Sequence, residues 1–348
     1  FSLIKYQKTN YKRKAFVMEK KESFFSQEKI PVQGVESNSI YEIYRLKETG
    51  QVICEIKIDA GFNGETVEIA QITDIHFNYC NAADQGDPEV LYTKKCRKWN
   101  AGGACAIAAE RAMTCAACFD QTVVTGDTLD YLSCGAMELM QKYIFDADPQ
   151  VLCCLGGHEL TKQMETGRPD QLPLEERLAI LQKFWRHDIH YAAKLIKNKV
   201  LAVAIDNSQS HYLDCQIGRL KKDIETAKEK GYIILLFQHE PISTQNPEDQ
   251  TCRAIWAQYK TEYNFYDGAI VGGDFANAAD RKVYQLITEN ADVVKGIFCG
   301  HLHSVFYNEI QASYTDAQGS HKAVIPQYTL TSNAYEDYAG LLMRIIIQ

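Results

Sequence analysis

No apolar run in this chain approaches the length of a membrane-spanning helix, no signal peptide is visible, and there is neither an internal repeat nor a low-complexity segment. These absences argue against a helical membrane protein, a solenoid and a disordered tract. Positive charge is short as well: 37 Lys plus Arg face 45 Asp plus Glu, for a formal charge of −8. Gripping a nucleic-acid backbone takes a basic field, so this balance counts against nucleic acid as a partner. An acidic protein can still hold a small anion where a metal ion supplies the local positive charge. A disulfide framework is also missing, although there are twelve cysteines in the 348 residues. The chain is too long for a cysteine-stapled module, and Cys153 and Cys154 are neighbours in an apolar strand, where they must face opposite ways. Buried thiols in a reducing compartment are the expectation, and with them a cytoplasmic location; a leader removed before Phe1 would leave no trace. Cys115 and Cys118 form a Cys-x-x-Cys without a second pair, which favours packing over zinc or redox chemistry.

What is present is a globular composition, 46% hydrophobic and 24% charged. Residues 1–38 are polar and locally basic and read as an N-terminal extension. From residue 39 to 348 no linker divides the chain, so a single domain is expected, with insertions near 78–103 and 243–280 and a further loop over 160–175. Alternating apolar and polar residues from Ser39 to Ile58 predict a hairpin turning at Thr49-Gly50. Apolar strands are expected over Val67–Ile75, Thr122–Thr125, Val151–Leu155, Val200–Ile205, Tyr232–Phe237 and Val294–Cys299. Short strands close the chain near 304–310, 323–329 and 341–347. Helices are expected over 104–119, 136–145, 217–230 and 281–289. Leu178, Leu181, Trp185, Ile189, Ala192 and Ile196 extend a helical period over Glu175–Lys197. Strands alternating with helices indicate α/β, and the hairpins add antiparallel strands, so the sheet arrangement is mixed.

The chemistry gathers at strand ends. Asp74, His76, Asp127, His239, His301 and His303 each stand at or just past the end of an apolar run. Singly, each would be an ordinary structural polar residue or a turn. Together they converge where open α/β sheets bind ligands. Residues two apart on an extended segment face one side, which pairs Asp74 with His76 and His301 with His303. Imidazole with carboxylate suits borderline divalent ions such as Mn, Fe, Zn or Ni.

The ordered set Asp74-x-His76, Gly126-Asp127, Gly157-His158-Glu159, His239 and Gly300-His301-x-His303 resembles the calcineurin-like metallophosphoesterase family over residues 67 to about 347. The resemblance implies an αββα sandwich of two mixed β-sheets flanked by helices. It also implies a phosphoric ester hydrolase with two divalent ions and a metal-bound hydroxide nucleophile, acting on a small phosphoester or phosphorylated substrate. By the same resemblance Asp74, His76 and His303 hold one ion, His239 and His301 the other, and Asp127 bridges. His158 then stabilises developing charge or protonates the leaving group, with Asp130 orienting it. The chain departs from the family at Gly157, where the motif carries a metal-binding Asn. That departure leaves the second site one ligand short and opens the alternative of a metal-binding pseudoenzyme or regulatory module. Tyr79, Asp206 and Asn207 are expected near the substrate pocket, with ordinary turn roles as the competing reading. The purple acid phosphatase variant of the motif does not fit, because His76 replaces its Gly and Tyr131 is one residue out of place.

Overall fold

A computed structural model describes residues 27–29, 40–46, 50–97, 104–163, 169–242, 277–303, 305–333 and 340–348. The architecture follows from strands apolar on both faces: in β4 (Val67–Ile72), β5 (Gln121–Thr125), β8 (Val200–Ile205) and β9 (Ile233–Phe237) every residue is buried. Such strands need cover on two sides, which a pair of stacked sheets with helices outside provides. The other strands are β1 (Gln27–Lys29), β2 (Glu42–Leu46), β3 (Val52–Ile58), β6 (Leu152–Cys154), β7 (Tyr191–Ile196), β10 (Val294–Cys299), β11 (Phe306–Asp316), β12 (Gly319–Thr329) and β13 (Leu342–Ile347). One sheet is seven-stranded in the order β1-β2-β3-β13-β4-β5-β6, and the other six-stranded in the order β11-β12-β10-β9-β8-β7. Both are mixed, since β13 runs parallel to β3 but antiparallel to β4, and β7 and β11 flank parallel strands in the second sheet.

Between the sheets lie Ile56, Ile69, Val123 and Cys154 from one side and Ala204, Leu235, Phe237 and Phe298 from the other. The Phe237 and Phe298 rings stack with centroids 5.0 Å apart. Outside the first sheet pack helices α2 (Ala104–Ala116), α3 (Cys134–Met140) and α4 (Leu174–Phe184), and α3 runs on into a π turn, Gln141–Phe145. Helices α5 (Asp214–Lys230) and α6 (Ala278–Thr288) cover the second sheet. Cys153 faces the helices and Cys154 the inter-sheet core, as strand alternation requires. The cysteines among the described residues are all free thiols.

Three expectations need correction. The long helix over Glu175–Lys197 is instead α4 followed by β7, because Trp185 turns extended at φ −70°, ψ 142°. Trp185 Nε1 donates to the Cys153 carbonyl at 3.3 Å, and His187 Nε2 accepts from the Cys153 amide at 2.9 Å. The segment therefore covers the edge of β6, and this tertiary role overrides the helical spacing of its apolar residues. A turn with left-handed Lys197 and Asn198 then pairs β7 with β8. The region 78–103 is not simply loop: a 3₁₀ turn, Ala82–Gly86, and helix α1 (Pro88–Cys96) occupy its described part. The N-terminal extension is not wholly a tail either, since β1 pairs antiparallel with β2; the rest of 1–38 lies outside the described residues. The insertion over 243–280 also lies outside them, except for Asn277–Asp280, which cap and begin α6. No described helix is long and apolar enough to cross a membrane.

Candidate metal centre

The loops after β4 and β5 are zipped together by backbone bonds: Asp74 N to Gly126 O at 3.1 Å, His76 N to Asp127 O at 2.9 Å and Phe77 N to Thr128 O at 2.7 Å. Across the sandwich, Gly300 N donates to His239 O at 2.9 Å, and His301 N reaches the Asp74 carboxylate at 3.1 and 3.2 Å. The result is one cluster built from four strand ends. Its backbone is unusual for its residue types: Asp74, His76, Asp127, His301 and His303 have φ of 51°, 52°, 48°, 69° and 49°. Left-handed non-glycine residues cost on the order of 1 kcal/mol or more each and persist only where surrounding contacts enforce them, a pattern concentrated at functional sites. Gly156 and Gly300 are required by crowding, because a Cβ there would overlap the carboxylates of Asp127 and Asp74.

Three overlapping groups of donors meet in this cluster, one of them His76, Asp127 and His158, and the other two share no residue. Asp74, His76 and His303 form one, with His303 Nε2 3.1 Å from Asp74 Oδ1 and His76 Nε2 3.1 Å from His303 Nε2. Asp127, His239 and His301 form the other, with His239 Nε2 3.1 Å from Asp127 Oδ2 and 3.3 Å from His301 Nδ1. Asp127 Oδ2 is also 3.9 Å from His76 Nε2, so its carboxylate lies between the sets. Behind the donors the opposite ring nitrogens are committed. His76 Nδ1 donates to Asp130 Oδ1 at 3.2 Å and His239 Nδ1 donates to the Thr125 carbonyl at 2.8 Å. Each of these bonds turns an Nε2 lone pair inward, as in carboxylate– or carbonyl–histidine–metal arrangements.

Charge makes the same demand. Burial alone would raise the Asp74 carboxyl, but His303 and His76 hold it well below the usual carboxylate range, and His239 and His158 do the same for buried Asp127. Burial opposes protonation of His76, yet Asp130, Asp74 and Asp127 carry it up to about 9, and His239 is raised against its burial chiefly by Asp127. Burial and the neighbouring His239 push His301 down to about 4. Ionised carboxylates buried among imidazole nitrogens call for positive charge at the centre. A divalent ion supplies that charge with the geometry that oxygen and nitrogen donors prefer, so the residues present fit a metal.

A family model for calcineurin-like phosphoesterases matches residues 67–305, more than half of the chain. The chain belongs to that family. No curated protein sequence matches it. Among solved structures, a dimetal phosphatase from Danio rerio is similar at 12% identity and a TM-score of 0.42, over 76% of this chain and 87% of that one. A purple acid phosphatase from yellow lupin (Lupinus luteus) seeds is similar at 10% identity and a TM-score of 0.42, over 83% of this chain and 49% of that one. A phosphopantetheinyl hydrolase from Mycobacterium tuberculosis is similar at 11% identity and a TM-score of 0.36, over 81% and 96%.

In this member of the family the structure brings Asp74, His76, Asp127, Asp130, His158, His239, His301 and His303 together. His158 is placed by its amide, which donates to Asp127 Oδ1 at 3.0 Å, and by its Nδ1, which donates to the Asp130 carbonyl at 2.8 Å. Its Nε2 is 3.8 Å from Asp127 Oδ2, and 18% of the side chain remains exposed. Gly157, unlike its neighbour Gly156, is under no steric demand: φ is −65° and ψ −31°, and the nearest atom to a Cβ there would be Ser208 O at 3.7 Å.

Asp206 and Asn207 are buried in structural work. Asp206 accepts from His190 Nδ1 at 2.7 Å and Ser208 Oγ at 2.6 Å, while Asn207 ties the His239 and Glu240 amides, both at 3.1 Å. Tyr79 is 43% exposed, and its carbonyl accepts from Ser133 Oγ at 2.7 Å. Sequence reasoning undervalued Glu159, whose buried carboxylate accepts from the amides of Asp127, Thr128, Leu129 and Gly156 and thereby shapes the loop that carries Asp127. It missed Arg97, which lies on Asp130 and has no motif to announce it.

Proposed function

We propose that the chain is a metal-dependent phosphoric ester hydrolase, acting as a phosphatase or phosphodiesterase on a small phosphoester or phosphorylated substrate. The single observation that carries this reading is the meeting of two three-residue donor sets at Asp127. Asp74, His76 and His303 would hold one divalent ion and His239 and His301 a second, with Asp127 shared; Mn, Fe, Zn and Ni all suit the donors. Such a pair supplies Lewis acidity at phosphoryl oxygens and activation of a water for in-line attack. The chain's own side chains do the rest. His158, held at Nδ1 by the Asp130 carbonyl, presents Nε2 on the exposed side of the cluster, where it serves to protonate the leaving oxygen or stabilise its charge. Asp130 keeps His76 in the tautomer that ligates through Nε2.

Gly157 supports a second reading, a metal-binding module of the same fold without turnover, because it adds no side-chain donor to Asp127, His239 and His301. One assay separates the two. Protein stripped by chelator and reloaded with Mn should hydrolyse an aryl phosphate or aryl phosphodiester, and Asp127→Asn should abolish that activity. Absence of turnover across a broad phosphoester panel, even after Gly157→Asn, would leave the binding module standing.

A further inference from the structure

Asp130 touches two imidazoles through different atoms. Its carboxylate Oδ1 is 3.2 Å from His76 Nδ1, while His158 Nδ1 donates to its backbone oxygen at 2.8 Å. Something must hold this carboxylate, because a charge with no exposed surface is costly without partners. Asn78 Nδ2 donates to Oδ2 at 2.8 Å, and Arg97 does the larger share: Nε donates to both oxygens at 3.1 and 3.2 Å, and Nη2 to Oδ1 at 2.5 Å. The two-armed contact fixes the plane of the carboxylate as well as its charge.

Arg97 comes from outside the motif blocks, at the C-terminal end of α1, where its amide closes the helix on Thr93 O at 2.8 Å and its carbonyl accepts from Asn78 at 2.7 Å. The segment that carries it is anchored at several points. Asp84 accepts from the Cys134 and Gly135 amides at 2.8 and 2.9 Å, Thr93 Oγ1 donates to Lys162 O at 2.7 Å, and Lys162 Nζ pairs with Asp87 at 2.7 Å. A guanidinium mounted at several points therefore stands behind the carboxylate that holds His76.

We infer that Arg97 is a positioning residue for this centre: it fixes the Asp130 carboxylate and thereby the orientation of the His76 ring. The inference rests on the proposed role of His76 as a metal ligand, but its test does not depend on turnover. The probe is calorimetric titration of chelator-stripped protein with Mn, alongside kinetics of the Mn-loaded enzyme on an aryl phosphate.

Arg97→Met should weaken Mn binding about tenfold and lower kcat at least tenfold with KM within threefold. Arg97→Lys, which keeps the charge without the fork, should recover only part of each effect, and it carries the test alone if Arg97→Met does not fold. Lys162→Met cuts another tie of the same segment and should leave the Mn affinity unchanged. Unaltered Mn affinity in the Arg97 variants would overturn the inference, and so would an equal loss in Lys162→Met. If the unaltered protein hydrolyses nothing, the titrations still decide on Arg97, and only the reading of the protein as a hydrolase fails.

Discussion

Replacing Gly157 with Asn should strengthen the second metal site without damage to the fold. The backbone at 157 is right-handed helical, at φ −65° and ψ −31°, a conformation any residue adopts. A Cβ there meets only Ser208 O at 3.7 Å, an ordinary van der Waals contact, so no neighbour has to move. Removing a glycine from such a position lowers the entropy of the unfolded chain, a gain of about 0.4–1 kcal/mol. The effect on metal should be larger. Loss of a partner that merely orients a metal ligand costs about 10–100-fold in affinity, so a new direct donor beside Asp127, His239 and His301 should gain at least about tenfold, or ~1.4 kcal/mol. The assay is isothermal titration of chelator-stripped protein with Mn, read against elemental analysis after dialysis and a thermal melt without metal. The weaker of two binding steps should tighten in Gly157→Asn while the stronger stays put, and the metal-free melt should hold or rise. Two equally tight equivalents in the unaltered protein, or no change in the weaker step, would refute the reasoning about the missing donor.

Other perturbations bear on separate parts of the structure. Gly156→Ala should destabilise the protein by about 1–3 kcal/mol in chemical denaturation and reduce metal uptake, because its Cβ would overlap the Asp127 carboxylate. Glu159→Gln should cost on the order of 1–3 kcal/mol, since an amide in place of the carboxylate cannot serve the four backbone donors around it. Trp185→Phe should cost about 1 kcal/mol by stranding the Cys153 carbonyl at the edge of β6, measured by the same denaturant series. For His190, the hydrogen bond that its Nδ1 donates to Asp206 raises the pKa in the folded state. The stabilisation is therefore fully present below the unfolded value of about 6.5 and is lost as pH rises through the raised folded value. The stability gap between the unaltered protein and His190→Gln should accordingly be widest in mild acid and close in alkali; a gap that widens with pH would contradict this.

Most of the site was legible in the sequence because strand ends announce themselves: an apolar run that stops at Asp-x-His, Gly-Asp or Gly-His needs no knowledge of what lies beside it. The sheet order was not legible. That β13 inserts between β3 and β4 depends on contacts between residues near 55 and 70 and residues near 344, and no local pattern encodes them. Residues 192 and 196 satisfied a helical period while belonging to an edge strand, and only the anchoring of Trp185 and His187 on Cys153 decided between the two. The role of Glu159 was not legible because its four partners are backbone amides, invisible in a list of side chains. Arg97 was hidden for a related reason, since its meaning lies wholly in a carboxylate 33 residues away.

The most direct test of the metal centre is anomalous diffraction from crystals of the protein loaded with Mn. Two peaks should appear on either side of the Asp127 carboxylate, one among Asp74, His76 and His303 and one, of lower occupancy, beside His239 and His301. A fully loaded crystal with no peak within bonding distance of Asp127 would contradict the shared-carboxylate reading and the hydrolase built on it.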